Sequence, residues 1–234
     1  MRLRKYHGLG NDFLVLVDRD GSVPAGAAMA RALCERHRGV GADGLIRVTP
    51  GPDGPVMELY NADGSRAETS GNGLRCVARA AVDARLATGP EVTITTDAGP
   101  RRARIRPDGL VSVEMGTATV DGQHVDMGNP HRVELVEDLA AVTGPDRPDL
   151  NVEYVVAGPG TGQLSMRVFE RGVGETQACG SGACAAAAVA HAKGLVGPTV
   201  TVNQPGGAVT VELGDPVVLT GPAVFVFEAE VPWP

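Results

Sequence analysis

Two short segments carry side chains that could do chemistry. Ser70-Gly71-Asn72-Gly73 opens the run SGNGLRCVARAA (70 to 81), and Cys179-Gly180-Ser181-Gly182 opens CGSGACAAAAVA (179 to 190). Each reads as a small nucleophilic residue, Gly-x-Gly, then a helix of small residues. The first turn of a helix offers unpaired N–H groups and the positive end of the dipole, which bind anions and favour a thiolate. Cys179 is therefore expected to be a thiolate beside a carboxylate-binding nest, with Gly180 and Gly182 letting a ligand approach the backbone. Ser70, Gly71 and Gly73 would form a matching wall. Two such helix starts holding one carboxylate would put a proton-transferring group on each side of its α-carbon. That arrangement inverts a stereocentre without a cofactor: one group removes the proton, the other delivers one from the opposite face, and the dipoles stabilise the enolate-like charge.

The elements that must position these groups also come in duplicate. Gly10-Asn11-Asp12 precedes an apolar run 59 residues before Ser70 is reached from Asn11, and Gly128-Asn129-Pro130 precedes HRVELV with 50 residues from Asn129 to Cys179. An internal repeat of this kind implies two halves of one plan. Period-two runs predict strands at LRKYHG, FLVLVD, VMELYNADG, EVTITTDAG, LVSVEMG, HRVELV, VEYVVAG, LSMRVFE, TVTVNQPGG, AVTVEL and AVFVFEAEV. AAMARALCERH predicts a further helix. The reading is α+β, with an N-terminal domain over 1–118 carrying Ser70 and a C-terminal domain over 119–234 carrying Cys179, the tail being free to return to the first half.

Composition narrows the class. The 234 residues are 43% hydrophobic and 21% charged, an ordinary globular balance, and a formal charge of -7 leaves no footprint for nucleic acid. Arg101, Arg102, Arg104 and Arg106 alternate along a strand-like stretch and read as a solvated face. No apolar run approaches the roughly 18 to 20 residues of a membrane span, and the N-terminal residues lack an export signal, so the expectation is a cytoplasmic protein with no membrane partner. Cys34, Cys76, Cys179 and Cys184 lack the spacing of a zinc site, so no metal is expected, and the two-base arrangement calls for no cofactor; Cys34, Cys76 and Cys184 read as core.

With these residues in view, the chain resembles the diaminopimelate epimerase family along essentially its whole length. HGLGNDF (7 to 13), RHRGVGADG (36 to 44), NADGSRAETSGNGLRC (61 to 76), GNPH (128 to 131), ERGVGETQACGSGACA (170 to 185) and PGG (205 to 207) look like that family's signatures in order. The resemblance implies two pseudo-symmetric domains, each a curled, mainly antiparallel sheet or barrel around a central helix, with the site in the cleft between them. It also implies a small-molecule amino-acid substrate and a homodimer. By the same resemblance Cys179 is one acid/base group, and His131 and Glu170 are polar partners near the catalytic positions. Gly71, Asn72, Gly180 and Ser181 would hold the reacting carboxylate, and Asn11, Asn61, Asn129, Asn151 and Arg171 the rest of the substrate. The chain departs from the pattern in three places. Ser70 stands where the family has its other cysteine, Gly44 where some members have glutamine, and the connection Thr117 to Val125 is short. A serine hydroxyl is a far poorer base than a thiol. A racemase or eliminase of another amino acid, or a non-catalytic amino-acid-binding homologue, therefore stand as alternatives.

Overall fold

The computed structural model describes residues 1–147 and 149–233. The chain divides into two compact units: Met1–Val113 together with the tail from Pro222, and Glu114–Gly221. The first unit runs β1 (Arg2–Gly8), β2 (Asn11–Val17), α1 (Ala27–Cys34), β3 (Gly44–Gly51), β4 (Gly54–Asn61), β5 (Arg66–Ala67), α2 (Gly71–Asp83), β6 (Glu91–Thr96), β7 (Gly99–Ile105) and β8 (Val111–Gly116), the last crossing into the second unit. The second continues with β9 (Thr119–Asp121), β10 (His124–Asp126), β11 (Pro130–Leu135), β12 (Asn151–Ala157), β13 (Gln163–Glu170), β14 (Gly174–Thr176), α3 (Gly180–Ala192), β15 (Thr199–Gln204), β16 (Gly207–Glu212) and β17 (Val217–Gly221). A final strand, β18 (Val224–Glu230), pairs antiparallel with β1 in the first unit.

Strand pairing repeats step for step. In the first unit β1–β2 is antiparallel, β2–β3 parallel, β3–β4 and β4–β5 antiparallel, β4–β6 parallel, and β6–β7 and β7–β8 antiparallel. In the second, β10–β11, β11–β12, β12–β13, β13–β14, β13–β15, β15–β16 and β16–β17 follow the same sequence of senses. The ninth strand of each set comes from the end of the other repeat: β9 pairs with β10, and β18 with β1. Both parallel pairs need crossovers, and the second crossover in each unit is the central helix, α2 or α3.

Each central helix is buried almost all round, as expected of a helix wrapped by its own sheet. In α3 the run Ala185–Ala188 keeps the side chains short, so strands can approach from every side. Strands with one covered face alternate, as β4, β6 and β13 do. β2 is buried on both faces because α1 lies over it: Leu14, Leu16, Met29, Leu33, Cys34 and Leu45 share one core cluster. Helix α1 stops at Cys34, three residues before the apolar pattern predicts. Glu35 is extended (φ -61°, ψ 124°), and its carboxylate accepts from His37 N at 2.9 Å, turning the chain out of the helix. The alternation did not predict β3 and β17, nor the short strands β5, β9, β10 and β14. The short connection 117–125 folds into the tight hairpin of β9 and β10, turning at Gly122 with φ 62°.

Candidate active site

In the first unit parallel pairing aligns the site residues at one end of the sheet. Phe13 pairs with Gly44 and Gly44 with Asn61, so the start of β2, the start of β3 and the end of β4 lie abreast. A Cβ on Gly44 would meet Tyr60 O at 2.9 Å and the Phe13 ring at 3.2 Å, so glycine here is a packing requirement. Ser70 caps α2 from an extended backbone (φ -152°, ψ 126°), its Oγ accepting from Gly73 N at 3.1 Å. Asn72 Nδ2 donates to Asn11 Oδ1 at 3.0 Å, and Asn11 Nδ2 donates to Asp43 at 2.9 Å. The structure thus joins Asn11 and Asn72 directly. Asn61 sits apart from that pair, its amide bonded to Ser65 Oγ within the β4–β5 turn.

Asn11 owes its place to an ionic frame. Asp12 accepts from Lys5 at 2.7 Å and from Arg36 at 2.8 Å, and Arg36 also holds Asp43. Burial pushes the Asp12 carboxyl up, but the hydrogen bonds and charges of Arg36 and Lys5 outweigh it and leave it below its ordinary value.

The second unit repeats the arrangement with different chemistry. His131 pairs with Asn151 at the starts of β11 and β12, and Glu170 ends β13. Cys179 caps α3 from an extended backbone (φ -124°, ψ 119°), its Sγ accepting from Gly182 N at 3.4 Å and lying 3.5 Å from Ser181 Oγ. Asn151 bridges two site segments: its Nδ2 donates to Pro130 O at 3.0 Å and its Oδ1 accepts from Arg171 N at 3.0 Å. The Arg171 side chain is exposed, with no hydrogen-bond or ion-pair partner among the described residues. His131 Nε2 lies 3.1 Å from Asn129 Oδ1, and Glu170 accepts from Thr176 Oγ1 at 2.5 Å. Asn129, His131, Asn151, Glu170, Arg171, Cys179, Gly180 and Ser181 thus cluster at one end of this unit's sheet.

Two sequence expectations change here. Cys179 is not poised as a thiolate. Burial raises its pKa well above the ordinary value, Glu170 and Glu153 push it the same way, and the hydrogen bonds from Ser181 and Gly182 only partly offset them. Nor does Gly182 serve ligand approach: a Cβ there would lie 2.5 Å from Glu153 Oε1, so this glycine lets the helix settle on β12. Gly73 likewise faces Met57 and Ile46.

Three residues in or beside the site went unread in the sequence. Glu153 is fully buried, with Oε1 2.7 Å from His131 Nδ1. Gln204 accepts from Cys179 N at 2.8 Å and fixes the cap. Arg75 is fully buried behind Asn72, to which its Nη2 donates at 2.8 Å. Only the position of Gln204 beside Pro205-Gly206-Gly207 hinted at a role. The other three cysteines are buried free thiols.

A sequence model of the family described as "Diaminopimelate epimerase" matches residues 3–120 and 123–226. The chain belongs to the diaminopimelate epimerase family. A relative named diaminopimelate epimerase from Azoarcus sp. (strain BH72) is 38% identical over 278 aligned positions, covering 100% of this chain and 99% of the relative. Another of that name from Pseudomonas syringae pv. syringae is 37% identical, covering 99% of each. Among solved structures, a PhzF-family phenazine biosynthesis protein from Bacillus anthracis superposes with a TM-score of 0.80 at 16% identity, covering 100% of this chain and 99% of that one. A predicted epimerase from Pseudomonas aeruginosa gives 0.71 at 18% identity, covering 98% of each. These structural likenesses show the fold alone, a mixed α+β one.

Proposed function

We propose that this protein is a cofactor-independent isomerase that inverts the α-carbon of LL-diaminopimelate to give the meso form. The observation that carries the reading is the duplicated cap. In each unit a nucleophilic side chain is the N-cap of the central helix, and the backbone N–H groups that follow are suited to a carboxylate. Cys179 is the acid/base for one face of the α-carbon, and Ser70 stands in the place of the second. Gly71, Asn72, Gly180 and Ser181 hold the reacting carboxylate. Asn11, Asn61, Asn129 and Asn151 fix the rest of the substrate, and His131 and Glu170 assist proton transfer. The unpartnered, exposed Arg171 fits a distal carboxylate, which its guanidinium takes in bidentate fashion. That group favours a long diacidic diamine over a small monocarboxylate.

Incubation with LL-diaminopimelate in deuterated water, followed by chiral separation and mass analysis, tests the reading. Meso product carrying one α-deuterium is expected; neither product nor exchange at high enzyme concentration would overturn it. A second reading follows from Ser70 itself. With one efficient base, a carbanion formed through Cys179 loses a β-leaving group instead of being reprotonated, and keto-acid release from β-substituted amino acids would favour it. Action in the cytoplasm is part of this proposal; separately, no helix among the described residues is long and apolar enough to cross a membrane. Strand β18 presents Val224, Phe225, Val226 and Phe227 at 37% to 49% exposure. Four successive exposed apolar residues on a strand support a homodimer, to be checked by light scattering.

A further inference from the structure

The repeat supplies its own control experiment on the Cys179 side. Aligned by their matching pairings, Phe13 and Gly44 of the first unit correspond to His131 and Asn151 of the second. Two residues further along β3 and β12, Ile46 corresponds to Glu153. The packing agrees: Ile46 Cδ1 is 3.3 Å from where a Cβ on Gly73 would sit, and Glu153 Oε1 is 2.5 Å from the same point on Gly182. The half with the serine thus has a phenylalanine at the first of these positions and puts an isoleucine beneath the first turn of its central helix. The half with the cysteine has a histidine and a fully buried glutamate at the same positions.

A buried acid in the place of an isoleucine is costly unless it is used. His131 Nδ1 is 2.7 Å from its Oε1, whereas Oε2 has no hydrogen-bond partner among the described residues. The carboxyl flanks the same peptide unit whose N–H reaches the Cys179 sulfur. The positive end of a helix is a shared resource: an acid seated against the first turn takes up the field that would otherwise stabilise a thiolate at the cap.

We propose that Glu153 helps to hold Cys179 as a thiol in the free enzyme, its carboxyl, seated against the first turn of α3, offsetting the N-terminal field that would otherwise favour a thiolate. This rests on Cys179 being an acid/base group, the reading given above. The free enzyme then carries a proton on Cys179 that must leave before this residue can act as the base. When Cys179 acts as the base, its proton passes first to a neighbouring carboxylate, Glu170 or Glu153, and the thiolate so formed takes the α-proton. The groups facing the thiol are Glu170 from β13, Glu153 from β12 with His131 of β11 behind it, and Ser181 and the Gly182 N–H from α3; Gln204 of β15 adds a neutral contact at Cys179 N.

The test is the pH dependence of Cys179 alkylation by iodoacetamide, without substrate, with Cys179→Ala identifying the labelled site. The parent should react appreciably only at alkaline pH. Glu153→Gln keeps the shape and removes the charge, and should move the profile toward lower pH, raising the rate near neutrality about ten-fold or more, since one pKa unit is a ten-fold change in thiolate. The double variant His131→Phe/Glu153→Ile, rebuilt on the first unit's apolar pair, should show the same shift and keeps the question open to measurement if the single variant fails to fold. Glu153→Asp, which retains the charge, should restore the alkaline profile. Profiles that do not move in Glu153→Gln or in the double variant would overturn the proposal. A shifted profile in a protein that fails to invert diaminopimelate would instead leave it standing and remove the functional reading.

Discussion

Replacing Arg75 by Met tests how much of the first half-site is held from behind. Arg75 is fully buried; its Nε donates to Pro222 O at 3.1 Å, Nη1 to Gly71 O at 3.2 Å and Nη2 to Asn72 Oδ1 at 2.8 Å. Methionine fills similar space but donates nothing. Gly71 O retains its place in the helix ladder, so the main losses are at Pro222 O and Asn72 Oδ1. Each buried acceptor left unpaired costs about 1–3 kcal/mol, and removal of a desolvated charge returns part of that. A net destabilisation of about 3 kcal/mol lowers the Tm of a chain this size by about 6–12 °C. The effect should also reach the substrate, because Asn72 is what Asn11 leans on. Urea denaturation with parallel kinetics checks both: a raised KM is expected, with Arg75→Lys intermediate in each. A loss under about 1 kcal/mol with KM unchanged would refute the idea that this guanidinium organises the site.

Ser70→Cys should raise the inversion rate by about 10²- to 10⁴-fold, the usual worth of one general acid/base group. Loss of the hydroxyl cap should lower stability by about 0.5–1 kcal/mol. Stereospecific assay and denaturation read the two effects separately, and no gain in rate would mean that Ser70 is not the missing base. Alkaline pH should weaken the fold. Burial pushes Cys34 and Cys76 from 9.0 to about 12, helped at Cys34 by Asp12 and Asp43. Because the folded values lie above the unfolded one, the stability they contribute is complete below about pH 9 and is lost as the pH climbs toward 12. The urea midpoint should fall over that window and fall less in Cys34→Ala/Cys76→Ala; equal slopes in both proteins would count against this assignment.

The sequence disclosed the parts of this site that are spelled locally. A nucleophile before Gly-x-Gly and a small-residue run sets a cap and its helix within a few residues, and Ser70 and Cys179 sit in that role. Strands with one wet face announced themselves by alternation. What escaped depends on partners far along the chain. Glu153 occupies an apolar run, and its meaning comes only from Gly182, 29 residues on, and from His131 on the neighbouring strand. Arg75 looks like a solvated helix residue until Pro222 closes over it. The thiolate expected of Cys179 rested on the helix end alone; the fold adds burial and two acids, and these win. Glycine was misread for a related reason: at Gly182 the missing Cβ serves the sheet behind the helix, which no neighbouring residue reveals.

The borrowed ninth strands bear on the order in which this chain is made. As it leaves the ribosome, residues 114–221 emerge as one uninterrupted piece that contains everything its unit needs, including β9. The first unit, although synthesised earlier, must wait for β18 to close the side of β1 and for Pro222 to meet Arg75. During that interval β1 offers an unfilled edge carrying Arg2, Arg4 and Lys5, charges that discourage another nascent chain from adding itself there. Glu228 and Glu230 arrive on β18 to pair with Arg2 and Arg4. The older half of the molecule is thereby the last to be finished, and loss of a few residues after Gly221 would be felt more than a hundred positions upstream.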